Sequence, residues 1–147
     1  MAQKILVVDD EEIIRDSLFY ILEKEGYEVD KAENGKNDYK KMIVNHFDLV
    51  ITDIEMPFMK GTELLEKIKT LNVQTSVIII TAFGSLDTAI SALRNGAGDY
   101  ILKPVEFDEL LIKTKRLFEM RDLLLDNRVL REEIHRKYDF ENIVGKA

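Results

Sequence analysis

Short apolar runs alternate with longer amphipathic stretches along this chain of 147 residues. Four of the runs are continuous, as in strands that are buried on both faces of a parallel sheet: Ile5–Val8, Leu49–Ile51, Val77–Ile80 and Tyr100–Leu102. The run Tyr27–Ala32 instead alternates apolar and polar positions, which predicts a half-exposed strand at a sheet edge.

The segments that follow the strands have helical periodicity. They are Ile13–Leu22 with a stop at Gly26, Lys36–Asn45, Gly61–Leu71, a segment from an N-capping Ser85 to Asn95 with a stop at Gly96, and a fifth from Phe107 onward. Strand and helix therefore alternate five times. This order predicts an α/β fold, a doubly wound parallel sheet with right-handed crossovers.

The composition changes near Met120. Residues 1–119 hold 15 basic and 22 acidic residues and carry the whole net charge of −7, whereas residues 120–147 hold 6 of each. No glycine or proline interrupts Phe107–Tyr138, a stretch that is long for a globular helix and typical of a signalling or coiled-coil helix. We expect one globular domain, residues 1–119, followed by a helical linker.

Charge and composition exclude several classes of protein. An acidic chain repels nucleic acid and anionic membranes, so no direct nucleic-acid binding is expected. The absence of cysteine excludes disulfides, thiol catalysis and cysteine zinc sites. No apolar run reaches the roughly 20 residues of a membrane span. The N-terminus lacks the architecture of a signal peptide, and we therefore expect a cytoplasmic protein with no membrane partner.

Polar side chains follow the strands at the edge where ligands bind in open parallel sheets. Asp9 and Asp10 come after the first strand, Asp53 after the third, Thr81 after the fourth and Lys103 after the fifth. If the first and third strands are neighbours, the three carboxylates converge and need a counter-charge. Oxygen ligands without histidine or cysteine favour Mg²⁺.

Magnesium needs only one or two carboxylates, which leaves another free as a nucleophile, and a hydroxyl with an ammonium can hold a transferring phosphoryl group. The set therefore indicates phosphoryl transfer onto an aspartate. Taken singly, each residue has a simpler explanation: Asp9 and Asp10 as helix caps, Asp53 as a turn cap, Thr81 as an ordinary strand residue and Lys103 as a solvated lysine. Their joint occurrence favours the site.

The same residues lie in motifs that resemble the receiver domain of two-component response regulators over residues 1–119. The matching segments are Ile5-Leu-Val-Val-Asp9-Asp10-Glu11, Asp53-Ile-Glu-Met-Pro57 with Gly61, Thr81-Ala82, and Asp99-Tyr100-Ile-Leu-Lys103-Pro104. The resemblance implies a flavodoxin-like fold with strand order 2-1-3-4-5. It also implies a regulatory domain rather than an enzyme, which a sensor histidine kinase phosphorylates.

By this resemblance Asp53 is the phosphoacceptor. Asp10 and Asp53 supply carboxylate oxygens to Mg²⁺, the backbone carbonyl of Glu55 supplies a further oxygen, and Asp9 acts through a water or in the outer sphere.

The resemblance also assigns the residues that respond to phosphorylation. Thr81 contacts the phosphoryl group, Lys103 pairs with it, and Tyr100 is the aromatic switch residue that moves with Thr81. The surface of the fourth helix, fifth strand and fifth helix then changes shape. The Lys103–Pro104 peptide is commonly cis in this family.

The predicted linker, residues 120–138, carries an apolar stripe with heptad spacing: Met120, Leu123, Asn127, Leu130 and Ile134. A lone asparagine at an a position fixes register in parallel dimers, so we expect a coiled-coil homodimer. The alternative is that the stripe packs on the domain's own surface.

Residues 139–147 resemble the entry to the AAA+ ATPase domain of sigma-54 activators of the NtrC/DctD type, although Gly145-Lys146-Ala147 is not a Walker A motif. The resemblance implies that an ATPase domain follows in the full-length protein and acts on sigma-54 RNA polymerase.

Other functions of the same fold remain alternatives. A stand-alone receiver shuttle would not need the dimerising tail. A haloacid-dehalogenase-like Mg²⁺ phosphatase needs Asp-x-Asp after the first strand, whereas Asp9 and Asp10 are adjacent. A flavodoxin-like redox domain needs a phosphate-binding loop there, and the acids at this point would repel a phosphate.

Overall fold

The computed structural model describes residues 3–34, 40–41, 45–53, 61–71, 74–82 and 86–124, and within them the side chains of all but 61–64, 71, 86, 88 and 89. Five strands form one sheet. They are β1 (Lys4–Val8), β2 (Glu28–Ala32), β3 (Leu49–Asp53), β4 (Ser76–Thr81) and β5 (Asp99–Leu102).

All strand pairs are parallel, and the order across the sheet is β2-β1-β3-β4-β5. Because β1 and β3 are neighbours in the sheet, the acidic residues at their ends can converge. The predicted fold class, a doubly wound five-stranded parallel sheet in the order 2-1-3-4-5, is confirmed.

The helices are α1 (Glu12–Lys24), α2 (Gly61–Leu71), α3 (Leu86–Arg94) and α4, residues 107–124. The predicted helix ends before Gly26 and Gly96 are confirmed. Both glycines adopt positive φ angles, +97° and +111°, which residues with side chains disfavour. Of the predicted helix Lys36–Asn45, only residues 40, 41 and 45 are described, and Ser85 lies outside the described residues.

The two faces of the sheet separate alternate residues of each strand. Leu6, Val50 and Ile79 belong to a buried cluster with Leu65 and Ile68 of α2. Because side chains are buried on both faces of the sheet, the sequences of β1, β3 and β4 contain continuous apolar runs.

Strand β5 departs from this pattern. We expected it to be buried on both faces, but of its residues only Ile101 is fully buried. It pairs with β4 alone, at the opposite edge of the sheet from β2. An apolar run reports the length of a strand and does not report whether that strand lies in the centre or at an edge.

The chain divides into two compact units, Met1–Leu111 and Ile112–Ala147. The sheet and helices α1 to α3 belong to the first unit. In the second, residues 112–124 are helical, with exposed apolar side chains at Ile112, Met120, Leu123 and Leu124. The boundaries at 119 and 138 remain predictions. Among the helices of the described residues, none is long and apolar enough to cross a membrane.

Candidate functional site

The register of the sheet brings the predicted residues to one edge. Val8 pairs with Thr52, so Asp9 leaves β1 beside the end of β3, where Asp53 is the last residue. Asp53 in turn pairs with Ile80, which places Thr81 one residue further along β4. The N–H of Lys103 donates to the Thr81 carbonyl at 2.8 Å and extends the ladder just beyond β5.

Three carboxylates meet at this edge. One oxygen from each of Asp9, Asp10 and Asp53 lies within 4.8 Å of the others. Asp9 and Asp53 are buried, and Asp10 is exposed. Two unit charges at that separation repel by about 3 kcal/mol at an effective dielectric near 20. The cluster therefore favours a cation.

Lys103 supplies part of that positive charge. Its Nζ donates to Asp53 Oδ2 at 2.5 Å and lies 3.4 Å from Glu11 Oε1. Burial alone would lower the pKa of the ammonium. The hydrogen bond to Asp53 and the negative charges of Asp53, Asp9 and Glu11 outweigh burial, and the pKa of Lys103 is held above its ordinary value. The lysine therefore stays charged.

One oxygen of the Asp9 carboxylate can still accept a hydrogen bond or a cation. Its Oδ1 accepts the Glu11 backbone N–H at 2.9 Å. Its Oδ2 is buried and has no hydrogen-bond partner among the described residues. Burial is the main cause that raises the pKa of Asp9 to about 6; the Glu11 hydrogen bond acts against it, and the neighbouring Asp53 charge adds to it.

The orphaned Oδ2 and the spacing of the three carboxylates fit a bound divalent cation. Octahedral Mg²⁺ with oxygen ligands places those oxygens about 3 to 4 Å apart, within the spread of this cluster. A cation here would satisfy Asp9 Oδ2 and offset the mutual repulsion. Asp9, Asp10 and Asp53 are thus residues that could hold a metal.

Thr81 and Tyr100 lie on β4 and β5, the next two strands across the sheet from β3. Thr81 is fully buried, and within the described part of the chain its hydroxyl donates a long hydrogen bond of 3.4 Å to the Ala82 carbonyl. Tyr100 pairs with Ile79 across the β4–β5 ladder and packs, partly buried, against the core cluster of the sheet. The Lys103–Pro104 peptide is cis.

The sequence profile of the response regulator receiver domain matches residues 5–115. The chain belongs to the receiver domain family. This receiver domain is therefore a regulatory domain of two-component signalling, in which sensor kinases are the partners of receivers.

Relatives and solved structures agree with that assignment. The chain is 33% identical to the regulatory protein AtoC of Escherichia coli over 98% of its own length and 31% of AtoC. The structure of NtrX from Brucella abortus superposes with a TM-score of 0.84 at 36% identity, over 88% of this chain and 30% of that one. A receiver domain protein from Clostridium thermocellum superposes with a TM-score of 0.78 at 37% identity, over 83% of this chain and 98% of that one. The receiver thus spans less than a third of AtoC and NtrX.

The structure of this receiver brings together most of the residues singled out in the sequence, with Asp9, Asp10, Asp53 and Lys103 in one cluster. Neither Asp9 nor Asp10 is the N-cap of α1. That residue is Glu11, which makes no side-chain cap hydrogen bond and whose N–H donates to Asp9 Oδ1. Glu55 lies outside the described residues, as do Asn127, Leu130 and Ile134.

Two contacts at the site were not anticipated. Glu11 shares Lys103 with Asp53, and Arg15 Nη1 donates to the Asp9 carbonyl at 2.9 Å. The sequence holds one signal for the second contact. Arg15 stands in the first turn of α1, where a positive charge is unfavourable for the helix.

Proposed function

We propose that Asp53 accepts a phosphoryl group from a phosphohistidine of a sensor histidine kinase, in a Mg²⁺-dependent step that switches the receiver. The observation that carries this proposal is the Asp53 carboxylate at the end of β3, clustered with Asp9 and Asp10 and hydrogen-bonded to Lys103 at 2.5 Å. Three carboxylates and an ammonium are thus held in one place, which supports their roles as nucleophile, cation ligands and charge partner.

In the transfer, a carboxylate oxygen of Asp53 attacks phosphorus, a P–O bond forms and the P–N bond to the kinase histidine breaks. The bonding electrons return to the imidazole nitrogen, which takes up a proton. Lys103, close to Asp53 in the resting state, stabilises negative charge on the phosphoryl oxygens. The buried Thr81 hydroxyl would donate to another of these oxygens, and the length of its present hydrogen bond supports this role.

Asp10 and Asp53 would hold Mg²⁺ with the Glu55 backbone carbonyl, and Asp9 would act from the outer sphere. When bound, the cation neutralises charge on the phosphoryl oxygens and on the carboxylates. The acidic cluster and the unsatisfied Asp9 Oδ2 support this assignment.

The phosphoryl group adds about −1.5 to −2 charge at the ends of β3 and β4. Lys103 moves from the carboxylate to the phosphoryl oxygens, Thr81 turns toward them, and Tyr100 repositions. Hydrolysis of the acyl phosphate ends the signal. A protein that binds this surface in only one state reads out the switch.

In the full-length protein the receiver would regulate a following AAA+ domain of the sigma-54 activator type. The NtrX relative, which extends well beyond this chain, has been solved in complex with ATP and with ADP, in agreement with a nucleotide-binding output domain in such proteins. Met120 and Leu123, exposed by 53% and 65%, support a dimerising linker between the two.

Acetyl phosphate and Mg²⁺ test the proposal without the cognate kinase. We expect intact mass spectrometry to show one added phosphoryl group on the wild-type chain and none on Asp53→Asn. Asp16→Asn, which removes an equal charge from the half-exposed ion pair between Asp16 of α1 and Lys31 of β2, should be phosphorylated like the wild type. An adduct that persists in Asp53→Asn would assign the acceptor elsewhere.

A further inference from the structure

The connection from β1 to α1 has to hold two carboxylates beside a third. Asp9 and Asp10 are consecutive, and both contribute oxygens to the cluster with Asp53. Because the three repel one another, an unrestrained connection would let the carboxylates move apart. Something in the fold therefore fixes residues 9–11.

The backbone of Asp9 is held on both sides. Its N–H donates to the Ala32 carbonyl at 3.2 Å. Its carbonyl accepts Nη1 of Arg15 at 2.9 Å. With Oδ1 on the Glu11 N–H, the polar atoms of Asp9 are engaged by the protein except Oδ2, which has no hydrogen-bond partner among the described residues. Each restraint removes a freedom by which Asp9 could leave it.

Arg15 reaches this carbonyl by folding back over the first turn of α1. Its own N–H donates to the Glu11 carbonyl at 3.0 Å, and its side chain is half-buried. The backbone and the side chain of one residue thus fasten both ends of the segment 9–11. A guanidinium suits this task because its donors lie in a rigid plane.

Helix stability does not explain an arginine at this position. A cation in the first turn is disfavoured by the helix dipole, which favours acidic residues such as Glu12 there. The position is explained by the Asp9 carbonyl and by the acidic cluster nearby.

We propose that Arg15 is a positioning residue for the cation site: it fixes the β1–α1 connection so that Asp9 and Asp10 present their carboxylates to a divalent cation together with Asp53. This inference rests on the proposed Mg²⁺ site. Preorganised ligands bind a cation without first being ordered, and removing an outer partner of a metal ligand typically weakens affinity by about 10- to 100-fold.

The test compares Arg15→Met, Arg15→Lys and Arg94→Met. Met keeps the aliphatic stem of Arg15 but donates no hydrogen bond, and Lys restores a charge with one donor group. Arg94 lies in the last turn of α3, is exposed and serves as the control for the substitution itself.

Titration with MgCl₂ followed by NMR shifts of the Asp10 and Glu11 amides gives the dissociation constant. Hydrogen exchange of the Glu11 amide in the metal-free protein reports on the connection itself. We expect Arg15→Met to weaken Mg²⁺ binding about tenfold and to speed exchange of the Glu11 amide, with partial recovery in Arg15→Lys and none of these effects in Arg94→Met.

The outcomes separate this inference from the proposed function. Wild-type protein that binds Mg²⁺, with equal affinity and equal Glu11 exchange in Arg15→Met, would overturn the positioning role and leave the cation site intact. Wild-type protein that binds no Mg²⁺ would overturn the cation site and, with it, this role of Arg15. The inference is supported if Arg15→Met binds Mg²⁺ more weakly and exchanges the Glu11 amide faster than the wild type while Arg94→Met does neither.

Discussion

At the residue scale, Asp9 shows how a side chain can be kept where it weakens the fold. Its carboxyl is fully buried, one oxygen lacks a partner among the described residues, and two other acids are close by. Folding raises the pKa of this group from 3.8 to about 6, mainly through burial. A proton or a bound cation relieves the cost.

The pH dependence follows from linkage. Between pH about 4 and about 6 the folded chain binds more protons at Asp9 than the unfolded chain, so the Asp9 contribution to the free energy of unfolding falls as pH rises. A shift from 3.8 to about 6 corresponds to at most about 3 kcal/mol. We expect metal-free Asp9→Asn to be about 1 to 3 kcal/mol more stable than the wild type at pH 7 and equal to it near pH 4.

Urea unfolding in EDTA across this pH range checks the expectation. Saturating Mg²⁺ should reduce the difference in unfolding free energy between Asp9→Asn and the wild type. The cation stabilises the wild type more, because only the wild type presents all three carboxylates. A constant gap between the two proteins at every pH would show that Asp9 is not the titrating group.

At the element scale, the turns that end α1 and α3 use the same backbone device in different surroundings. Gly26 and Gly96 both have positive φ angles. A Cβ at Gly26 would meet nothing within 4 Å, whereas at Gly96 it would lie 3.2 Å from Cε of Lys69. That lysine donates to the Thr75 carbonyl at 2.9 Å, and burial lowers the pKa of its ammonium.

Alanine at the two glycines should therefore differ in cost. Gly26→Ala carries backbone strain alone and should lose about 1 to 2 kcal/mol of unfolding free energy. Gly96→Ala should lose about 1 kcal/mol more, because the Lys69 stem must shift and its hydrogen bond to Thr75 weakens.

Denaturant unfolding of both variants measures the difference, and a double-mutant cycle assigns its cause. In a Lys69→Ala background the additional loss at Gly96 should disappear. An additional loss that survives in this background would place it in the backbone of the turn.

The elements were predictable because their signals are local. Apolar run length gave β1, β3 and β4, and helical spacing with glycine stops gave α1 and the end of α3. The exposure of β5 was not predictable, because position across a sheet depends on what pairs beyond it. The Glu11–Lys103 contact joins residues 92 positions apart and depends on how loops leave the strands, which no local pattern encodes.

At the scale of the whole molecule, the predicted site depended on one topological fact. Asp9, Asp53, Thr81 and Lys103 lie at the ends of different strands. They reach the same edge only because β1 and β3 are neighbours with β4 and β5 next in order. Their spacing at strand ends, together with the parallel sheet, was enough to expect that meeting. The roles of Glu55 and Tyr100 stay predictions that came from family resemblance.

The linker offers a test of assembly at the same scale. Leu123, 65% exposed near the end of the described part of α4, lies on the predicted heptad stripe. We expect Leu123→Glu to raise the dimer dissociation constant at least about tenfold, since a buried charge opposes a coiled-coil seam.

Sedimentation equilibrium measures that constant. Asp122→Gln changes the net charge by one unit of the opposite sign at a neighbouring exposed position off the stripe, and it should leave the dissociation constant unchanged. Leu123→Glu protein that sediments like the wild type would count against a coiled coil formed by this stripe.

The long sequence separations at the acidic edge also set an order of events during synthesis. Asp53 precedes its partner Lys103 by 50 positions. At roughly 5 to 20 residues per second, a ribosome makes that interval in about 3 to 10 s, with all three carboxylates present and their lysine still unmade. A growing chain therefore carries Asp53 before the lysine that pairs with it, and the acidic edge is complete only once β5 has been added to the sheet.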